Sequence, residues 1–423
     1  MVKATTPGQA RYALILLALI NSVNYMDRNV VTILFPLIKK DLSLSDTELG
    51  LIGGLAFTLV YALAAIPLGW ATDRFSRKHV ITGGIFIWSL ATFFSGAAGR
   101  FSTFFIARSF TATGEASCHP CGVSLISDYF SPKVRTTAIA IFQLGIPLGA
   151  GIGIVLGGVL AAQYGWRTTF YIYAIPGLVL IPFILLMKEP VRGESEESLD
   201  KKVLNESEES FMVGVKRILK SKSLRLQYSA ALFAQLGMMA FSVWMPTYLI
   251  RMRGFDINQA GKIMGIAFLV GGIVGTMGGG AIADRWFKTD KTARVKVQTL
   301  ALGLGIPFLL IALLVDSKIA LIPSIFMGSI LAMSCYPVCT SIIVDLLKPK
   351  ERGVGMAFLL IVQNGIGLTL ASFLVGAISD ASGSLLYGIL IAPVSMFVAL
   401  IFSARLKNTF LFDYESSSLK QSQ

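Results

Sequence analysis

Hydrophobic positions fall into twelve long runs. The runs 12–38, 47–71, 79–98, 102–127, 135–161 and 168–187 precede a long polar stretch, 188–224, and the runs 226–250, 260–283, 297–315, 319–345, 353–378 and 384–405 follow it. Each is long enough to cross about 30 Å of hydrocarbon as a helix, and the weaker alternating pattern of a membrane barrel is absent. A helix in lipid satisfies its own backbone groups. The pattern therefore predicts an all-α membrane protein with twelve transmembrane helices in two pseudo-symmetric six-helix halves. The expected boundaries are 1–187 for the first bundle, 188–224 for a cytoplasmic linker, 225–406 for the second bundle and 407–423 for a cytoplasmic tail.

The halves repeat each other. Ser117-Cys118-His119-Pro120 through Asp128, Pro132, Lys133 and Arg135 matches Ser334-Cys335-Tyr336-Pro337 through Asp345, Pro349, Lys350 and Arg352 without a gap, at a constant offset of 217 (335 − 118 = 352 − 135). Gly69-x-x-x-Asp73-Arg74 also recurs as Gly280-x-x-x-Asp284-Arg285. Repeats of this kind imply parallel halves related by an axis along the membrane normal. The stretch Gly69 to Lys78, reading GWATDRFSRK, resembles the inner-loop signature of the major facilitator superfamily, with Ser76 where the family usually has glycine. That resemblance implies a conformational latch at Gly69, Asp73, Arg74, Arg77, Asp284 and Arg285, with the loop aspartate ordering neighbouring helix ends.

Composition agrees with a lipid solvent: 54% of residues are hydrophobic and 14% charged, and mean hydropathy is +0.70. A net charge of +13 would otherwise suggest nucleic acid, but its distribution follows the positive-inside rule. With both termini in the cytoplasm, inner segments carry Arg74, Arg77, Lys78, Lys133, Arg135, nine basic residues from Lys188 to Arg225, and Arg285 to Lys296. The first span holds Asp27 and Arg28 and has no small-residue cleavage site, so it reads as a retained span. Within the linker, Phe211, Met212, Val215, Ile218 and Leu219 can form one apolar face opposite Lys216, Lys220 and Lys222. This is either an amphipathic helix on an anionic leaflet or a solvated connector. Short outer loops, and an Asn-x-Ser match at Asn205 in the inner linker, point to a bacterial plasma membrane. A monomer is expected.

A charge in mid-membrane costs about 2.5–3.5 kcal/mol or more. Asp27, Arg28, Arg108 and Glu115 are therefore functional candidates. The repeat acts as an internal control: Glu115 corresponds to Ala332 and Arg108 to Ile325, so the scaffold itself does not require these charges. A carboxyl group in a low-dielectric site is easier to protonate, and a neighbouring guanidinium opposes this. Together they make a proton switch, with Glu115 as main carrier, Asp27 as a second acid and Arg28 as the alternating partner. The competing reading is a fixed ion pair holding spans one and four together. Arg108 either lines the cavity or snorkels to the interface. His119, four residues after Glu115, either tunes its proton or packs between helices.

Other motifs read as scaffold. Cys118-His119-Pro120-Cys121 has redox or metal spacing, but its repeat partner breaks it, and small polarizable side chains around a membrane proline account for both cysteine pairs. Gly145, Gly149, Gly153 and Gly157 recur every fourth residue, which gives a helix-packing groove rather than a nucleotide loop. No cofactor or metal is called for. An intramembrane enzyme would need a nucleophile oriented by its base, and nothing in the repeat supplies one.

Asn24-Tyr25-Met26-Asp27-Arg28, Pro67-Leu68-Gly69, Gly114-Glu115-Ala116-Ser117, Gly145 to Gly149 and Lys188-Glu189-Pro190 together resemble the Spinster-like family. The resemblance implies sphingolipid or lysophospholipid movement, with proton and headgroup roles at Asp27, Arg28 and Glu115. The second half offers Gln235, Trp244, Tyr336, Gln363 and Asn364 among apolar residues, and with Tyr25 these are the candidate substrate-cavity residues. A cavity charged on one side and apolar on the other suits an amphiphile. A proton symporter of small organic anions is the alternative, because sugar-acid transporters also carry Asp-Arg and Gly-Glu-Ala. A drug-proton antiporter is disfavoured by the missing Gly-Pro pair on span five.

Overall fold

The computed structural model of the chain describes residues 6–192, 211–347 and 351–419, and every regular element among them is helical. The acidic run Glu194 to Glu209 and the Lys348-Pro349-Lys350 match lie outside the described residues. Contacts divide the chain into two units, Met1–Glu206 with Phe255–Gly265, and Ser207–Gly254 with Ile266–Gln423.

The first half runs α1 (Pro7–Leu42), α2 (Asp46–Gly53), α3 (Leu55–Arg74), α4 (Arg77–Ala97), α5 (Phe101–Glu115), α6 (Cys118–Tyr129), α7 (Pro132–Gln143) and α8 (Gly145–Leu186). The start of α1 is set by a capping box between Thr6 and Gln9, with Pro7 in the first turn. These residues occupy the donors that have no intrahelical partner. Ser45 and Glu48 do the same for α2. The second half runs α9 (Phe211–Ile218), α10 (Lys222–Arg253), α11 (Ile257–Val270), a π-helical stretch Gly271–Gly275, α12 (Thr276–Phe287), α13 (Ala293–Leu314), α14 (Lys318–Leu346), α15 (Arg352–Leu360), a second π-helical stretch Ile361–Leu368, α16 (Thr369–Ser382), α17 (Leu385–Ile389) and α18 (Ile391–Leu419).

Nine segments among the described residues are long and apolar enough to cross a membrane. One of them, Pro132–Leu186, contains two spans, because Gly165 leaves helical geometry at φ 78°, a left-handed conformation that glycine adopts without strain. Two further spans fall outside the nine for visible reasons. α1 is 36 residues long, but Asn21, Asn24, Asp27, Arg28 and Asn29 dilute its hydropathy. The fourth span is divided after Glu115 into α5 and α6, each short on its own. Among the described residues this is consistent with twelve spans.

The glycines of α8 set its distance from α1. A Cβ on Gly145 would meet the Ala18 carbonyl at 2.9 Å, on Gly149 the Ser22 carbonyl at 2.1 Å, on Gly153 the Met26 carbonyl at 2.6 Å and on Gly157 the Val30 side chain at 2.6 Å. Ala18, Ser22, Met26 and Val30 are themselves four apart and ascend with the glycines, so two parallel helices lie backbone to backbone along matching faces. With Met26 and Val30 turned to α8, Asp27 and Arg28 are left to face elsewhere.

In each half an arginine gathers hydrogen bonds and ion pairs at helix ends. Arg77, at the start of α4, is 1% exposed. Its Nε donates to Glu189 Oε1 at 3.0 Å, Nη2 to the Pro190 carbonyl at 2.9 Å and Nη1 to Ser124 Oγ at 3.2 Å, while Nη1 also pairs with the Asp128 carboxylate. Glu189 Oε1 accepts the Arg77 amide at 2.8 Å, and Oε2 accepts the Ser76 hydroxyl. In the second half Arg294 donates to both oxygens of Asp345 at 2.6 Å and to Asp284 at 2.9 Å. The repeat relation persists, since 294 − 77 = 345 − 128 = 217.

This alters the latch expected from sequence. Asp73, Arg74 and Arg285 are exposed, the Arg74 guanidinium lies 4.6 Å over the Trp70 ring, and Gly69 borders open space. The buried arginine, rather than the loop aspartate Asp73, ties the helix ends together. Only a side chain that is both long and cationic reaches two carboxylates and a carbonyl at once. Burial alone would raise the Glu189 pKa, but the Ser76 hydroxyl, the Arg77 amide and its guanidinium outweigh it and hold the carboxyl below its ordinary value.

α9 forms within the linker, but its apolar side packs on protein. Ile218 joins the cluster of Leu224, Tyr228 and Leu347, and Val215 is buried. Lys216 and Lys220 are exposed.

Gly149→Leu is expected to destabilise the first half by about 1–3 kcal/mol or more through overpacking, whereas Gly69→Ala should be neutral. Thermal unfolding in detergent compares them. Glu189→Gln is expected to cost about 1–3 kcal/mol at pH 7, from the charged hydrogen bonds it removes. Because the folded-state pKa is depressed, that stability is present above the ordinary value of 4.5 and is lost as pH falls through the folded value. The gap in unfolding temperature between wild type and Glu189→Gln should therefore narrow below about pH 4.5.

Candidate functional site

The four membrane charges of the first half meet as two ion pairs. Asp27 and Arg28 are adjacent on α1 and so point about 100° apart around the helix, while Arg108 and Glu115 lie about two turns apart on one face of α5. Arg28 Nε donates to Glu115 Oε2 at 3.1 Å. Asp27 pairs instead with Arg108, whose Nη1 is 3.6 Å from Oδ1 and whose Nη2 donates to the Asp27 carbonyl at 3.5 Å. The Thr92 hydroxyl of α4 donates to Asp27 Oδ2.

Burial differs between the pairs. Asp27 and Arg108 are each 1% exposed and Glu115 is 0% exposed, whereas the Arg28 side chain keeps 23%. Arg108 therefore does not snorkel; it is sealed inside as the partner of Asp27. The Arg28 guanidinium sits 4.7 Å from the Tyr25 ring, 4.5 Å from Phe57 and 4.8 Å from Tyr61. Three aromatic faces hold a cation by its charge while leaving its hydrogens free to find other acceptors. Four atoms of the site remain without a hydrogen-bond partner: Arg28 Nη2 and Glu115 Oε1 in one pair, and Asp27 Oδ1 and Arg108 Nη1 in the other. The bridge is single where a bidentate one is chemically available, so Arg28 retains a donor and Glu115 an acceptor.

His119 makes its hydrogen bond outside the two ion pairs. The helix breaks at Ala116 and Ser117, and the His119 ring nitrogen contacts Gln143 Nε2 at 3.3 Å. All four cysteines are free and buried. Cys121 contacts the Thr72 hydroxyl of α3 at 3.2 Å, and Cys335 donates to the Leu331 carbonyl one turn back on its own helix at 3.5 Å.

In the second half, Gln235, Tyr336 and Gln363 come together around a cavity of ≈ 20 Å³, with Ala332 and Met238. Asn364, half-buried, sits next to Gln363 in the π-helical stretch. Trp244 is elsewhere: it is fully buried, and its indole N–H donates to the Ser372 carbonyl at 3.1 Å, joining α10 to α16. A large aromatic with a satisfied N–H is a packing residue, which removes it from the cavity set.

Sequence reasoning missed Thr92, Phe57 and Tyr61 around the charges, and Glu189, Asp128, Arg294 and Asp345 in the latches. Arg294 had a usable signal, since it stands 217 positions after Arg77. Thr92, Phe57 and Tyr61 had none, because ordinary residues acquire a role only when the fold brings them to a charge.

Comparison with known proteins agrees with this architecture. Residues 17–333 match the family model of the Major Facilitator Superfamily. The chain is 30% identical to protein spinster homolog 1 of Xenopus laevis over 86% of this chain and 72% of that one. It is 28% identical to an MFS-type efflux pump of Mycolicibacterium smegmatis over 89% and 86%, and 26% identical to a sphingosine-1-phosphate transporter of Danio rerio over 85% and 74%. Its fold matches the crystal structure of a bacterial homologue of the human lysosomal transporter Spinster with a TM-score of 0.82 at 22% identity, covering 97% of this chain and 98% of that one. The chain is thus a multi-pass membrane transporter that belongs to the Spinster-like family of the Major Facilitator Superfamily.

Proposed function

We propose that this protein is a proton-coupled secondary transporter of an amphiphilic, lipid-like substrate of lysophospholipid or sphingolipid type, working by alternating access in a bacterial inner membrane with both termini cytoplasmic. The observation that carries the proposal is the single hydrogen bond between Arg28 and a wholly buried Glu115 whose second oxygen is unpartnered. A carboxylate so placed depends on one cation for its charge.

When Arg28 turns to an anionic headgroup, Glu115 loses that cation, and taking a proton replaces it. When a proton arrives first, Arg28 is released to the headgroup. Either order links one proton to one change of partner, which is the requirement for coupling. Asp27 serves as a second acid. Its position against Arg108 and Thr92 keeps its charge compensated while the Glu115 bridge opens. The apolar second half, and the relatives that include a sphingosine-1-phosphate transporter, support an amphiphile over a small polar anion.

In sealed vesicles containing the purified protein, a pH step should drive movement of a lyso- or sphingolipid without altering it chemically. Glu115→Gln is expected to lower the pH-driven rate by roughly tenfold or more while lipid binding, followed by thermal shift, persists. Unimpaired proton-driven transport by Glu115→Gln would refute the assignment, and proton flux elicited by hexuronate-like anions instead of lipids would favour an organic-anion symporter.

A further inference from the structure

Two glutamine pairs occupy the second half. Gln227 and Gln298 bond each other in both directions, at 3.0 and 3.2 Å, and Gln298 also donates to Ser403 at 3.2 Å. Their carboxamides are used up in joining α10, α13 and α18. Gln235 and Gln363 differ. They are 5% and 4% exposed, and no hydrogen bond ties either side-chain amide to another described residue. Both line the ≈ 20 Å³ cavity. Two carboxamides that line one space and are not used in joining helices offer donors and acceptors to whatever enters it, which marks a place where a ligand can bond.

Two further features single out the location. Ala332 and Tyr336 line the same cavity, and at the 217 offset they correspond to Glu115 and His119 of the first half. The cavity thus occupies, within its own half, the repeat position that holds the charged site in the other, with amides in place of ions. Gln363 is also carried by the π-helical stretch Ile361–Leu368, a geometry that concentrates at functional sites because it re-aims side chains. Gly367 on the same stretch approaches Gln235 so closely that a Cβ there would lie 3.1 Å from its Cγ.

We infer that Gln235 and Gln363 form a selectivity site for one uncharged hydrogen-bonding group of the substrate, a hydroxyl or carbonyl beside its hydrocarbon chain. Carboxamides both donate and accept, which suits a neutral group that does both. The space fits a group of about the size of a water molecule, not a ring or a phosphate. This inference rests on the lipid reading above and narrows it.

The test uses two probes that differ in one hydroxyl, lysophosphatidate and its 2-deoxy analogue, in pH-driven uptake by sealed vesicles. Wild type is expected to favour lysophosphatidate by about tenfold or more in the ratio of rate to half-saturating concentration. Gln235→Leu/Gln363→Leu is expected to lose that preference, so that the ratio between the two probes falls to about one, while an unfolding temperature in detergent close to wild type reports that the variant is folded. If wild type moves both probes equally, or the variant keeps the wild-type preference, the inference fails and the lipid reading stands. If wild type moves neither probe, the lipid reading falls and this inference with it.

Discussion

One guanidinium and one carboxylate, Arg28 and Glu115, share a single hydrogen bond of 3.1 Å, with the carboxylate wholly buried and the arginine side chain 23% exposed. Breaking a buried pair of this kind costs about 3–5 kcal/mol if nothing replaces the lost partner. Every opening of the bridge therefore needs another ligand for each side, a proton for the acid and an anion for the base. In the proposed cycle this energetic cost, rather than a mechanical linkage, ties the two events together. The adjacent Asp27–Arg108 pair is buried on both sides.

The scaffold holds this bridge by close packing on one side and by ionic ties at the helix ends. The glycine ladder of α8 fixes the rotation of α1, so that Met26 meets glycine and the next two residues meet charges. Arg77 and Arg294 tie helix ends in each half with the same residue at the same repeat offset. What the duplication preserved is thus the latch, and what it let diverge is the chemistry, charged around Glu115 and amide-lined around Ala332.

The fold was legible in the sequence because lipid permits so few solutions: a hydrophobic run of span length is a helix, and the offset of 217 exposes the duplication. The four charges were legible because each stands out against apolar neighbours. Their pairing was not. Adjacent residues on α1 diverge by about 100°, and only the assembled bundle shows that Asp27 turns to Arg108 while Arg28 turns to Glu115. Asp73 stood out by motif, yet it is the buried Arg77 that gathers the partners. Trp244 looked like a cavity residue by type, but its indole is satisfied by a backbone carbonyl on α16. Spacing reveals which residues share a helix face; it does not reveal what a neighbouring helix sets against them.

Difference infrared spectroscopy of the purified protein across a pH titration observes the proton on Glu115 itself. The expected result is a protonated-carboxyl band that grows on acidification, disappears in Glu115→Gln and shifts its midpoint when a substrate lipid is bound. A spectrum unchanged by Glu115→Gln at every pH would show that this carboxyl never takes the proton, and would contradict the coupling role assigned to the Arg28–Glu115 bridge.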